Sequence, residues 1–90
     1  MDQRIIDLTL LLMFLTGWEE ASVKEPEEKV FKTWKGFLAE ILDELEGRKL
    51  IVQHRMSKSL LLTEKGKRLA RELKEMYLLP QHPAESTNVR

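Results

Sequence analysis

Between Gln3 and Thr16 the apolar residues Ile5, Leu8, Leu12 and Leu15 recur at i, i+3, i+7 and i+10, the spacing of one helix face. Leu10, Leu11, Met13 and Phe14 fall on the other sides, so this first helix is hydrophobic nearly all round and needs more than one neighbour to cover it. In so small a protein a second copy is the expected second neighbour. Gly17 stops the helix, and Trp18 to Lys24 reads as a loop or short turn. Glu25-Pro26-Glu27-Glu28 carries a helix-start signature: a proline whose missing N–H costs nothing in the first turn, with carboxylates near the positive end of the dipole. A short second helix is predicted from there to about Phe31. Thr33 is placed to cap a third helix, in which Trp34, Phe37, Leu38, Ile41, Leu42 and Leu45 form an apolar stripe and Gly47 stands where a C-terminal cap belongs.

The period then changes. Leu50 to Arg55 and Ser59 to Thr63 are short extended runs separated by the polar Met56-Ser57-Lys58, the pattern of a β-hairpin. Thr63-Glu64-Lys65-Gly66 opens a last helix with a capping threonine, and Leu69, Leu73, Met76 and Tyr77 supply its buried face until Pro80 stops it. From Gln81 the chain has almost no apolar content. One domain over residues 1–79 is therefore expected, with a disordered tail over 80–90.

Composition narrows the class. Ninety residues, 42% hydrophobic and 33% charged, suit one soluble domain with little spare core and no deep private active site. The absence of cysteine excludes disulfides, thiolate zinc sites and a cysteine nucleophile, and fits a reducing cytoplasm. The start lacks a cleavage site and its unbroken apolar run covers only Leu10 to Leu15, so neither a leader nor a membrane span is expected. Fifteen cations balance fifteen anions, but unevenly: residues 1 to 47 carry a balance of −6 and residues 48 to 79 one of +6.

The order helix, short helix, helix, hairpin, helix is that of a winged helix-turn-helix domain, mainly α with a small β-hairpin. Leu42-Asp43-Glu44-Leu45-Glu46-Gly47-Arg48-Lys49-Leu50-Ile51 is similar to the end of the third helix and the first wing strand in the regulators that include the multiple-antibiotic-resistance and phenolic-acid-response repressors. Leu62-Thr63-Glu64-Lys65-Gly66 resembles the phrase by which they leave the wing. Trp34-Lys35-Gly36-Phe37, with Lys58-Ser59, also resembles a small prokaryotic winged-helix family with no assigned function. These families place a glycine just before Leu50-Ile51, where the chain leaves the helix in a left-handed conformation. Here Lys49 holds that position at about 1 kcal/mol, unless the helix ends at Gly47 instead.

The resemblance implies DNA contact by the third helix and the wing. Lys32 and Lys35 are then expected to hold the backbone at the groove edge, and Arg55 and Lys58 to clamp neighbouring phosphates. Against this, the outward positions of the third helix run Lys35, Gly36, Ala39, Glu40, Asp43, Glu44 and Glu46, and four carboxylates along one helix repel a polyanion. The alternative is a winged-helix interaction module that binds protein with this acidic helix and does not bind DNA. A homodimer through the first and last helices is expected, using Leu8, Leu11, Leu12, Leu15, Leu73 and Tyr77.

The basic residues of the last helix, Lys65, Lys67, Arg68, Arg71 and Lys74, are expected to pair with acids of the first or third helix, within the protomer or across a dimer, or to stay solvated. Catalysis is not expected, because His54 beside its own turn at Ser57 has no pocket or orienting partner. Glu40, Asp43 and Glu44 read as a wet surface rather than a metal site, and no cofactor is called for. Trp18, Phe31, Trp34 and Phe37 read as core, the other option being an effector cavity.

Overall fold

The computed structural model describes residues 2–54 and 56–78. Asp2 begins the first helix, its carboxylate accepting the Arg4 backbone N–H at 2.8 Å, and α1 runs over Gln3–Thr16. Gly17 ends it in an extended conformation. A side chain there would run into the Phe31 ring and the Lys32 carbonyl, so glycine is what lets the helix end close on the next layer. Two strands follow, β1 (Trp18–Ala21) and β2 (Lys29–Trp34), then α2 (Ala39–Gly47), β3 (Ile51–Gln53), β4 (Ser59–Leu62) and α3 (Glu64–Leu78).

The four strands form one antiparallel sheet in the order β1-β2-β4-β3. The fold is α+β, not mainly α with a lone hairpin. The expected loop at Trp18–Lys24 contains β1, and the expected short second helix is instead a turn, closed by Glu28 N–H to the Glu25 carbonyl at 2.8 Å, followed by β2. The cause is physical: six residues are too few to nucleate a stable helix, whereas Val30-Phe31-Lys32-Thr33-Trp34 is rich in β-branched and aromatic residues and pairs on both sides. Thr33 is consequently no helix cap but a buried residue in mid-strand. The third helix of the sequence reading starts five residues later than expected, at Ala39, leaving Trp34, Phe37 and Leu38 outside it.

The C-terminal half follows the sequence closely. Ile41, Leu42 and Leu45 are the buried face of α2, and β3 and β4 form the expected hairpin. Thr63 caps α3, its hydroxyl accepting the Gly66 N–H at 2.9 Å. The helix ends at Gly47, Arg48 is its cap, and Lys49 takes the left-handed conformation with φ 64°. The buried residues of α3 are Gly66, Lys67, Ala70 and Leu73; Met76 and Tyr77, expected on the buried face, are exposed because the last turn runs past the core. Pro80 and the tail over 80–90 lie outside the described residues.

α1, α2 and α3 share one core with the face of the sheet that carries Phe31, Ile51, Leu60 and Leu62. Between them lies the core, Ile6, Leu10, Leu11 and Met13 of α1 meeting Phe31, Leu60, Leu62 and Ile51 of the sheet and Leu45 and Leu73 of the other helices. No helix of the described residues is long and apolar enough to cross a membrane.

Candidate interaction surfaces

The outer side of α1 is the first surface. With Ile6, Leu10 and Met13 turned to the core, Ile5, Leu8, Leu12 and Leu15 form a stripe on the opposite side, each 45–48% exposed. The 3-4-3 spacing is that of a coiled-coil seam. Thr9 and Thr16 flank it, but their hydroxyls donate back to the carbonyls of Ile5 and Leu12 at 2.7 and 2.8 Å, so the flank presents methyl groups. Of the residues expected at a dimer contact, Leu8, Leu12, Leu15 and Tyr77 are exposed. Leu11 and Leu73 are buried in the protomer's own core, where α2 and α3 close on α1, and are unavailable to a partner.

The second surface is acidic. Glu40, Asp43, Glu44 and Glu46 are all exposed along α2, as the helical period requires once Ile41, Leu42 and Leu45 face inward. Glu44 holds Arg48 at 2.8 Å, and Asp43 and Glu46 accept from the Gln53 side chain at the sheet edge, so α2 and β3 are tied at their rims.

The third is the uncovered face of the sheet. Register places Trp18, Lys32, Leu61 and Val52 in one row across the four strands, with Glu20 and Val30 on one side of it and Trp34 and Ser59 on the other. Trp34 is 60% exposed and packs on Trp18 with ring centroids 4.9 Å apart and planes tilted by 47°. Of the four aromatics read as core, Phe31 qualifies, stacked on Phe14 at 5.2 Å, and Phe37 packs at its margin. Trp34 does not, because β2 turns alternate side chains to opposite faces.

Lys32, half-buried here, places Nζ 2.6 Å from Glu20 Oε2, while the Trp18 indole N–H donates to Glu20 Oε1 at 2.9 Å. Lys32, and then Trp18, hold the Glu20 carboxyl below the usual carboxylate range. Lys35 donates its ammonium to the His54 carbonyl at 2.6 Å, and its backbone N–H to the Lys58 carbonyl at 3.0 Å. Lys58 is exposed, and Arg55 lies outside the described residues. The fold thus brings Lys35, His54 and Lys58 together at the wing end of the sheet, with Trp34 as the neighbour of Lys35.

A groove of about 420 Å³ crosses this face, lined by Val30, Lys32 and Leu61 on the strands, Ala21 to Lys24 at one end and His54, Ser57 and Ser59 at the other. Sequence reasoning missed it and missed the tryptophan pair. The available signal was the alternation from Val30 to Trp34, which puts Lys32 and Trp34 on one side. On α3 the ion pair seen among the described residues is within the helix, Lys67 to Glu64 at 2.8 Å, and not with the acids of another helix, while Arg71 lies 6.0 Å above the Phe14 ring.

Residues 1–79 match the model of a family described as Domain of unknown function (DUF6429), and the chain belongs to that family. No curated protein and no solved structure matches it.

Proposed function

We propose that this member of the DUF6429 family is a protein-interaction module that works as a homodimer joined along α1. The exposed seam of Ile5, Leu8, Leu12 and Leu15 carries the proposal. A turned copy of the helix meets itself there, because the pattern is symmetric about its middle: laid antiparallel, Leu8 faces Leu12 and Ile5 faces Leu15 of the partner. Met76, Tyr77 and Leu78, exposed on the last turn of α3, supply further apolar surface. The acidic side of α2 is exposed along its length and suits a protein partner bearing basic groups.

In this proposal the domain is a winged-helix variant. α2, the β3–β4 hairpin and α3 follow one another as recognition helix, wing and closing helix do in the regulators that the sequence resembles, and the β1–β2 hairpin stands where a second helix is expected. Duplex-DNA regulation by the four expected cations is less well supported: Lys32 is paired with Glu20, and the helix that would enter the groove is acidic.

Sedimentation or light scattering of the purified protein between about 10 and 500 μM tests the dimer, a range set by interfaces of modest size. Twice the chain mass is expected, and Leu8→Glu with Leu12→Glu should give a folded monomer with an unchanged far-UV spectrum. A wild-type monomer across that range, or a double variant that stays dimeric, would sink the proposal.

A further inference from the structure

We infer that the uncovered face of the sheet is a binding site for single-stranded nucleic acid, with a base stacked on Trp34 and the adjoining phosphates held by Lys35 and Lys58. Three independent features meet there. A tryptophan left largely in solvent on an open sheet is a costly place for a large apolar ring, and here a second indole backs it at 4.9 Å and fixes its tilt. Beside it the groove offers Lys24 and His54 with the hydroxyls of Ser57 and Ser59 over a floor of Val30 and Leu61, with Lys32 in it paired to Glu20, and among the described residues no carboxylate lines it. At the wing end Lys35 and Lys58, whose backbones are hydrogen-bonded to each other, form the next pair of the ladder beyond Trp34 and Ser59, so two cations stand at the rim where a strand leaves the face.

Aromatic platforms flanked by cations suit single strands for a definite reason. Every base has a π-face, but in a duplex both faces are covered by neighbouring bases, so a ring lying on an open sheet reaches only unstacked nucleotides. Four strands about 4.8 Å apart span the room that two or three splayed bases need. The charge distribution favours the wing end of the face, away from Glu25, Glu27 and Glu28 in the β1–β2 turn beyond Lys24. The acids of α2 lie in the helix layer, on the other side of the sheet, and Glu20, the acid in the row beside Lys32, is neutralised by it. This site is separate from the α1 seam and does not rest on dimerisation.

The test is fluorescence anisotropy of the full chain against labelled 12-nucleotide oligo-dT and oligo-U, with a mixed-sequence DNA duplex of the same length measured alongside, at about 50 and about 200 mM salt. Expected are binding of at least one single strand that weakens with salt, preference over the duplex, and quenching of the indole fluorescence. Trp34→Ala should weaken binding at least about fivefold with the circular dichroism spectrum unchanged, and Lys35→Ala with Lys58→Ala should flatten the salt dependence. Duplex bound as tightly as the single strands, no binding at the lower salt, or full affinity in folded Trp34→Ala would each overturn the inference. The Leu8→Glu, Leu12→Glu monomer is expected to keep binding, and loss of binding there would overturn the independence of the two sites.

Discussion

α1 and β2 each carry large apolar side chains on both sides, and the two sides differ in what they meet. On α1, Leu10 is fully enclosed by the sheet and the other helices while Leu12, two residues on, is half in solvent. On β2, Phe31 lies against Phe14 inside the core while Trp34 stands on the open face. The inner members are interchangeable in chemistry, any apolar group of the right volume serving. The outer members are specific: one set repeats at the period of a helix pair, the other is a ring pair set among cations. Hydrophobicity in this chain therefore serves two purposes, enclosure and contact, and only the packing distinguishes them.

Substitution should separate the two sides, most strongly on β2. Phe31→Ala is expected to lower unfolding free energy by about 3–5 kcal/mol, against less than about 1 kcal/mol for Trp34→Ala, both read by urea denaturation at one low protein concentration. Leu10→Ala should cost about 2–5 kcal/mol, whereas Leu12→Ala should cost the monomer little and show its effect in the association constant. Equal losses within either pair would erase the distinction.

Smaller effects come from the joints. Lys49 holds a left-handed conformation that a side chain disfavours, so Lys49→Gly should stabilise by up to about 1 kcal/mol and raise Tm by roughly 4–8 °C, measurable by calorimetry. The smallest effect concerns pH. Because Lys32 and Trp18 depress the Glu20 carboxyl, its contribution is full above the unfolded value near 4.5 and is lost as pH falls through the lower folded value. Thermal melts from pH 6 to pH 3 should therefore fall less steeply in Glu20→Gln than in the wild type.

From Ile41 onward most of the fold was legible in the sequence, because local signals agreed there: the 3.6-residue stripe of α2, the Thr63 cap and the two apolar runs of the hairpin. Between Trp18 and Leu38 they conflicted. Glu25-Pro26-Glu27-Glu28 suits a helix start and a tight turn alike, and Trp34, Phe37, Leu38 and Ile41 happen to follow helical spacing across a segment where a strand ends and α2 begins. Pairing of β2 with β4, some thirty residues away, decided the outcome, and no local window contains that partner. The candidate surfaces divide likewise. The α1 seam was visible as i, i+3, i+7, i+10, whereas the Trp18–Trp34 contact depends on the register that sets Trp18 opposite Lys32.

The position of β4 also dictates when the molecule can assemble during its manufacture. It is the last strand among the described residues, yet it lies inside the sheet, hydrogen-bonded to β2 on one side and β3 on the other. Until Leu62 has left the ribosome, the β1–β2 hairpin stands alone, and an isolated two-stranded hairpin is marginal in water. α1 waits with it, since Leu60, Leu62 and Leu73 of its core are still to come. Folding is thereby deferred until β4 and α3 have emerged, and through that interval the nascent chain presents both sides of α1 to the ribosome's surroundings.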